Sequence, residues 1–370
     1  MQSDSPKESL LILGGGLMGL AIAHELAKEG RKVQILSRRR NEAAGFVAAG
    51  MLAPHAEGLN EELLRLGQLS LTRQSSWIKS IEQNSGLSCG FRSCGIVVPF
   101  LTTSMRDNFP TAKFGKKLTR LELETEVPGI GDLWKTGLLF EQDGQIDNRR
   151  LLMRALEKAC VELGVKFQEG IEVLAIMNDS QKFNGVKIQD AEGNIKEIKA
   201  KEGVLCSGAW SNQILNSLPI FPVKGQMLSI QGPKQALKRI LFGPGTYLVP
   251  REDGLIVIGA TSEPNAGFTE GLTPAGQSEL QQGIYKLLPA AIQWPPMERW
   301  WGFRPCTPDE SPLLGESEIQ GLWLATGHHR NGVLLAAITS EILTKMICRI
   351  PLESEINQII QAFRWDRFKN

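Results

Sequence analysis

Apolar positions along this chain alternate between short continuous runs and longer stretches of helical spacing. Leu10 to Leu13 is unbroken apolar sequence of strand length, the pattern of a parallel strand covered on both faces. Leu17 to Lys28 follows with the composition of a helix, Gly30 stops it, and Lys32 to Leu36 supplies a second strand. Leu59 to Gln83 predicts a long helix with Leu63, Leu66, Leu69 and Ile81 among its apolar positions. Gly95 to Pro99 opens a more irregular, strand-rich segment. Arg149 to Leu163 returns to an amphipathic helix, with Leu152, Leu156 and Ala159 on one stripe. Strands are predicted at Val165 to Phe167 and Ile171 to Ile176, then a hairpin from Gly185 to Ile188 and Ile195 to Ala200.

The second half repeats the alternation. Gly203 to Ser211 predicts a buried strand that ends in a turn of small residues and a helix start. Strands and one helix, Pro274 to Leu287, fill Val223 to Phe303, and Gly321 to Leu343 gives another buried strand, a glycine turn and an apolar helix. No internal repeat or long Pro- or Ser-rich linker divides the chain. The pattern predicts an α/β fold, α+β overall, in which the chain leaves a Rossmann-like nucleotide-binding domain and returns to it. The expected division gives residues 1–85, 145–218 and 305–370 to that domain. Residues 86–144 and 219–304 form an interleaved, sheet-based substrate domain.

Length and charge narrow the partners. A chain of 370 residues fits about two domains. Its 41 Lys and Arg against 40 Asp and Glu leave a formal charge of +1, so no global field gathers nucleic acid or anionic membrane. Six cysteines form no CxxC pair and no zinc-ligand spacing, which points to reduced thiols in a cytoplasmic compartment. Ser9 to His24 is uncharged but too short to span a bilayer, and Glu341 and Lys345 interrupt the apolar region after Asn331. The expected protein is soluble, with a small-molecule partner and the option of a homo-oligomer.

The candidate chemistry begins after the first strand. Gly14, Gly16 and Gly19 fit GxGxxG: one glycine for the tight turn, one for backbone approach to a pyrophosphate, one for close packing of helix on sheet. The N-terminus of Leu17 to Lys28 then favours a phosphate. At the end of the second strand, where an acid would hold the ribose hydroxyls, stand Ser37 and then Arg38, Arg39 and Arg40. Local sequence allows two readings: a site for the 2′-phosphate of NADP, or a basic surface turn in which Ser37 and backbone hold an unphosphorylated ribose.

Seven segments in order, "ILGGGLMGLAIAHEL", "AAGMLAPHAE", "PVKGQML", "YLVPR", "GAT", "FRPCTPDESPLLG" and "ATGHHRNGVLLA", carry a family resemblance. The chain resembles the FAD-dependent D-amino-acid oxidase family, and within it the glycine oxidases of thiamine biosynthesis. Similarity runs from about Leu10 to about Ser340. It implies FAD, held by Gly14, Gly16, Leu17, Met18 and Gly19, with Ser37 and Arg38 on the adenosine side. For the flavin it implies the turn Ala48, Ala49, Gly50, Met51 and Leu52, and the turn Gly327, His329, Arg330, Asn331, Gly332, Val333 and Leu334. Val173, Ser207, Gly208, Trp210 and Gly225 complete the expected cofactor contacts. Ser37 departs from the acid of many relatives.

Oxidising an amine beside a carboxylate needs an electron acceptor, a group to hold the carboxylate, and positive potential where charge arrives. Arg304 matches the family's carboxylate-binding arginine, and its planar fork suits bidentate recognition. Without the resemblance, it could equally pair with Asp309 or Glu310 in a turn. Tyr247 matches an active-site tyrosine, Arg330 lies in the turn before the last helix, and Met51 matches a pocket methionine. No carboxylate or cysteine cluster accompanies His328 and His329, so no metal is expected, and no GxSxG occurs. Some sarcosine oxidase relatives attach flavin through a cysteine near the place of Gly302; Cys306 lies beyond it, so noncovalent FAD is expected. Ser262 and Glu263 follow "GAT" where glycine oxidases can carry a bulkier apolar residue. The expected reaction is hydride transfer from glycine or a similar small amine to flavin, with O2 or a quinone as final acceptor. A D-amino-acid or sarcosine oxidase or dehydrogenase is the alternative, and a noncatalytic flavin-binding regulatory module is the alternative of another class.

Overall fold

A computed structural model describes residues 9–369. Its first sheet has six strands in the order 313–316, 322–326, 203–205, 10–13, 33–37 and 166–169. All neighbours are parallel except the antiparallel pair at the 313–316 edge. Alternation within the strands explains the continuous apolar runs. Leu10, Ile12, Val33 and Ile35 pack among helices Leu17–Lys28, Glu61–Ser85, Met153–Glu162 and Gly332–Ile347. Leu11, Leu13 and Leu36 face the other way, against Phe183, Val186 and Ile188 of a three-stranded antiparallel sheet. Both faces are covered, so Leu10–Leu13 is apolar and buried throughout.

Parallel pairing has a functional consequence: strands 10–13, 33–37, 203–205 and 322–326 all end at one edge of the sheet. The turns after Leu13, Ser37, Leu205 and Thr326 therefore open toward a common crevice, the usual ligand position in open α/β sheets.

The second sheet has eight strands in the order 296–306, 221–231, 255–259, 246–250, 240–243, 96–100, 136–140 and 116–118. Helix Pro274–Leu287 covers one face, where Leu228, Leu241, Leu248, Ile256 and Ile258 point. Their alternating neighbours Met227, Ile240, Tyr247, Val249 and Val257 belong to the opposite face, packed with Ala49, Ala53 and Ala56. The sheet thus delivers every second side chain toward the segment that follows Ala48.

Two predicted helices start later than their periodicity suggests. The long helix runs Glu61–Ser85, because hydrogen bonds from Gly58 N to His55 O and Leu59 N to Pro54 O hold the preceding residues in turns. Gly86, at φ 69°, supplies its left-handed end. The segment predicted as a helix from Arg149 opens with a wider turn, Asn148–Leu152, before the α-helix Met153–Glu162; Leu152 N donates to Asp147 O, five residues back. Among the described residues, no helix is long and apolar enough to cross a membrane.

Candidate active site

The crevice is a cavity of about 480 Å³, within the range of small-molecule and cofactor sites. At its nucleotide end, Gly14 has φ 126°, and a Cβ there would lie 2.6 Å from Cys206 O. A Cβ on Gly19 would lie 1.9 Å from Gly14 O, so this glycine sets the close approach of helix to turn. Gly16 caps helix Leu17–Lys28 without a side-chain hydrogen bond, and no acid stands in the first turn. The first amides are left for an anionic group, and Gly14, Gly16, Leu17 and Met18 line the cavity beside them.

Ser37 and Arg38 also line it, Ser37 being buried at the strand end. The cationic run does not face an empty space. Arg38 pairs with Glu42 at 3.0 Å and Glu172 at 3.1 Å and lies over the Trp210 ring, Arg39 pairs with Glu42 at 2.9 Å, and Arg40 pairs with Glu157 at 2.7 Å and with Glu169.

The turn Ala48 to Met51 forms a further wall. Gly50 has φ 85° and room for no side chain, since a Cβ would fall 2.0 Å from Ile146 O. Ile146 N donates to Gly50 O at 2.8 Å. Arg251, almost fully buried, donates from Nη2 to Ala49 O at 2.6 Å and from Nη1 to Gln145 Oε1 at 2.5 Å. The arginine of "YLVPR" thus pins the turn from behind. Val173, Ser207, Gly208, Trp210 and Gly225 line the cavity, and so do His329, Arg330, Gly332 and Val333. Helix Gly332–Ile347 also starts without a side-chain cap or an acid in its first turn.

Five expected contacts stand elsewhere. Gly19 packs helix on turn, as above. Leu52 is wholly buried in the core, because the next residue of an extended strand points away from the face Met51 shows. Gly327 turns the chain at φ 76° against Thr307 and Ile220, and Asn331 is the buried residue preceding helix Gly332–Ile347. Leu334 lies in the helical core, and its carbonyl accepts from Ser70 Oγ and Gln74 Nε2.

Arg304, Tyr247, Arg330 and Met51 are brought together on one cavity. Two glycines make the space. A Cβ on Gly225 would lie 2.5 to 2.7 Å from the Arg304 guanidinium, and one on Gly259 would lie 2.5 Å from the Tyr247 hydroxyl. Arg304 does not pair with Asp309, which holds Arg367 at 2.8 Å, nor with Glu310. Its Nη1 donates to Thr261 O at 3.1 Å and, more weakly, to Lys224 O at 3.5 Å. Burial lowers its pKa from the ordinary value, and burial pushes the Tyr247 phenol up to about 12. Phe242 stacks on Tyr247 at 6.3 Å, and both line the cavity with Met227.

Among the lining residues outside the set expected from sequence is a buried acid. Glu57, whose side chain is 5% exposed, meets Arg330 Nε at 2.9 Å. Burial raises its pKa to about 7 against the pull of Arg330 and Arg304. The signal was the carboxylate that closes "AAGMLAPHAE" after a run without charge. Asp143 accepts from Ala56 N at 2.8 Å and meets His55 Nδ1 at 2.6 Å, anchoring the backbone beside Glu57. His328 and His329 are both held down to about 3 by burial, His329 also by Arg304 and Arg330. Ser262 is exposed, and Glu263 accepts from Thr261 Oγ1 and Gln226 Nε2, so neither stands in the place of a pocket wall. Cys306 is buried off the cavity, while Cys206 borders it with its thiol pushed up by burial.

A strand–glycine turn–helix cradle joined to a second sheet that supplies polar side chains defines a dinucleotide-binding oxidoreductase. The chain belongs to the FAD-dependent oxidoreductase family known as DAO, whose profile matches residues 9–346. It is 39% identical over 370 residues to the bifunctional protein ThiO/ThiG of Trichormus variabilis, covering 97% of this chain and 55% of that protein. The chain therefore spans about half the length of those bifunctional relatives. It is 30% identical to a glycine oxidase of Bacillus licheniformis, with 96% of each covered. The crystal structure of glycine oxidase from Geobacillus kaustophilus superposes with a TM-score of 0.89 at 27% identity, covering 99% of this chain and all of that one. FAD is the family's cofactor, and the uncapped helix start, the glycine cradle and the Ala48–Met51 turn fit it.

Proposed function

We propose that this chain oxidises glycine or a similarly small amine to its imine with noncovalent FAD, and that water then releases glyoxylate and ammonia. When bound, FAD supplies the electron acceptor. The chain's own residues bind and orient. The observation that carries the reading is Arg304: a half-buried fork, cleared by Gly225, that faces the cavity without a carboxylate partner among the described residues. A substrate carboxylate completes it, and the Tyr247 hydroxyl, protonated across the working pH range, stands as a second donor. The resemblance implies the thiazole branch of thiamine biosynthesis. Division of the chain into a cofactor domain (1–85, 145–218, 305–370) and a substrate domain (86–144, 219–304) belongs to the same reading.

The nearest thiol to the cradle, Cys206, is buried and protonated, which favours noncovalent FAD. Acid precipitation should release all yellow colour into the supernatant, and NADPH should not displace it; colour retained in the pellet, or displacement at micromolar NADPH, refutes this part. The activity is tested by anaerobic titration with an amine panel. Glycine bleaching the flavin supports the reading. Bleaching only by sarcosine or larger D-amino acids moves the substrate, and no bleaching by any amine leaves a binding module. Admitting oxygen then separates an oxidase, which recolours with formation of H2O2, from a dehydrogenase that needs a quinone.

A further inference from the structure

The cavity holds charges of both signs, and Arg304 and Tyr247 leave the amine end of the proposed substrate without a partner. Arg304 and Tyr247 supply donors for a carboxylate, but an amino acid near neutral pH also carries an ammonium, which must lose a proton before the nitrogen lone pair can assist oxidation. Resting on the proposed reading, we infer that Glu57 is the acceptor for the substrate's ammonium: its carboxylate binds the –NH3+ group and takes one proton from it, leaving a neutral amine and a protonated Glu57. No electrons move in that step.

Placement argues for this role. Glu57 is the buried carboxylate that lines the same cavity as Arg304 and Tyr247, and its surroundings hold it there. His55 and Ala56, the two residues before it, are tied to Asp143, and Thr111 Oγ1 donates to His55 O. Its charged surroundings come from five elements: Arg330 at 2.9 Å on the turn before helix Gly332–Ile347, Glu310 on the turn after strand 296–306, Arg304 and Tyr247 on two strands of the second sheet, and Asp143 in the turn after Phe140. Arg330 is half exposed and shared with Glu310, so it compensates Glu57 only in part. A carboxyl that titrates near 7 is matched to moving a proton at neutral pH, whereas an ordinary surface glutamate would be too weak a base.

The sign follows from the charges. Below about pH 7 Glu57 is protonated and cannot receive an ammonium; above it, the carboxylate attracts ammonium and repels a second anion. Glycine and glycolate share the carboxylate and differ in the ammonium, so they should titrate in opposite directions. On FAD-loaded protein, the apparent glycine dissociation constant is read from anaerobic flavin reduction, and that of glycolate from perturbation of the flavin spectrum, between pH 6 and 8.5. Glycine should tighten by up to about tenfold per pH unit below 7, while glycolate weakens as pH rises. Glu57→Gln, isosteric and unable to accept the proton, should flatten both curves and cost glycine about 10- to 100-fold at pH 8.

A merely structural Glu57 that orients Arg330 would shift both ligands alike and leave the pH profiles in place; that result overturns the proposal. Should Glu57→Gln fail to retain FAD, the opposed pH trends of glycine and glycolate on the unaltered protein still decide the matter. If glycine neither binds nor reduces the flavin but a larger amine does, the glycine reading fails. Glu57 is then judged by the same comparison between that amine and its hydroxy analogue.

Discussion

Replacing Arg304 by alanine tests the substrate reading at its strongest point. The guanidinium sits in a slot that exists because Gly225 has no side chain, and among the described residues only Nη1 is hydrogen-bonded to protein, through Thr261 O at 3.1 Å and Lys224 O at 3.5 Å. The rest of the fork faces the cavity, where burial has already removed part of its hydration. Glycine carries almost no apolar surface, so its carboxylate provides most of what can be held. Truncating one member of a buried, hydrogen-bonded charge pair costs about 2 to 5 kcal/mol, which is roughly 30-fold to several thousandfold in kcat/KM. Arg304→Lys restores charge but not the planar fork, so it should recover only part of the loss. The assay is the rate of anaerobic flavin reduction by glycine, with FAD occupancy measured in each variant. Occupancy should persist, because the cradle at Gly14–Gly16 and the Ala48–Met51 turn do not depend on Arg304. Full-rate reduction of Arg304→Ala at low glycine, with FAD bound, refutes the assignment and passes the carboxylate to Arg330.

Two further predictions concern cofactor retention and pH. Gly50→Ala should lower FAD content of the purified protein at least about tenfold, since φ 85° costs a side-chain-bearing residue about 1–2 kcal/mol and its Cβ would fall 2.0 Å from Ile146 O. Normal FAD content in a folded Gly50→Ala protein would show that the turn adapts and does not set the flavin site. His328 is held near 3 in the fold against an ordinary 6.5, so below pH 6.5 the unfolded chain binds the proton that the folded chain refuses. Its contribution is whole above pH 6.5 and falls by about 1.4 kcal/mol per unit as pH drops toward 3. Denaturant titrations of the FAD-loaded protein at pH 7 and 5.5 should show a shallower loss in His328→Gln than in the unaltered protein, and equal slopes would contradict the argument.

The parts of the site written in contiguous sequence were legible: Leu10–Lys28 reads directly as strand, glycine turn and helix because each residue type there answers a local backbone demand. The same holds for the turns after Ala48 and Leu205. Features that depend on the meeting of distant strands were not legible by composition or period. By composition and period Gly259, and Gly225 but for the resemblance, look like ordinary strand glycines until the register places Tyr247 and Arg304 beside them. Arg251 follows Tyr247 in "YLVPR" but holds Ala49 O on the other side of the cavity wall. Leu52 and Leu334 belong to cofactor-contacting motifs, yet alternation along the strand and the helix turns each of them into the core. Family motifs mark segments; the face each residue shows is settled by packing.

Arg38, Arg39 and Arg40 show the same limit for charge. In one dimension they are a cationic patch beside a nucleotide cradle, which favours a 2′-phosphate. In the fold three guanidiniums face four carboxylates: Glu42 of their own segment, and Glu157, Glu169 and Glu172 from three further elements. Any one of these partly exposed pairs is worth little, about 0 to 1 kcal/mol. Their joint effect on recognition is larger than their effect on stability, because a phosphate entering here would meet acids as well as arginines. What the missing ribose acid at Ser37 alters is therefore not the choice of a phosphorylated nucleotide. Glu42 and Glu172 still border the cavity on that side, supplying negative charge from neighbouring segments where the end of the second strand supplies none.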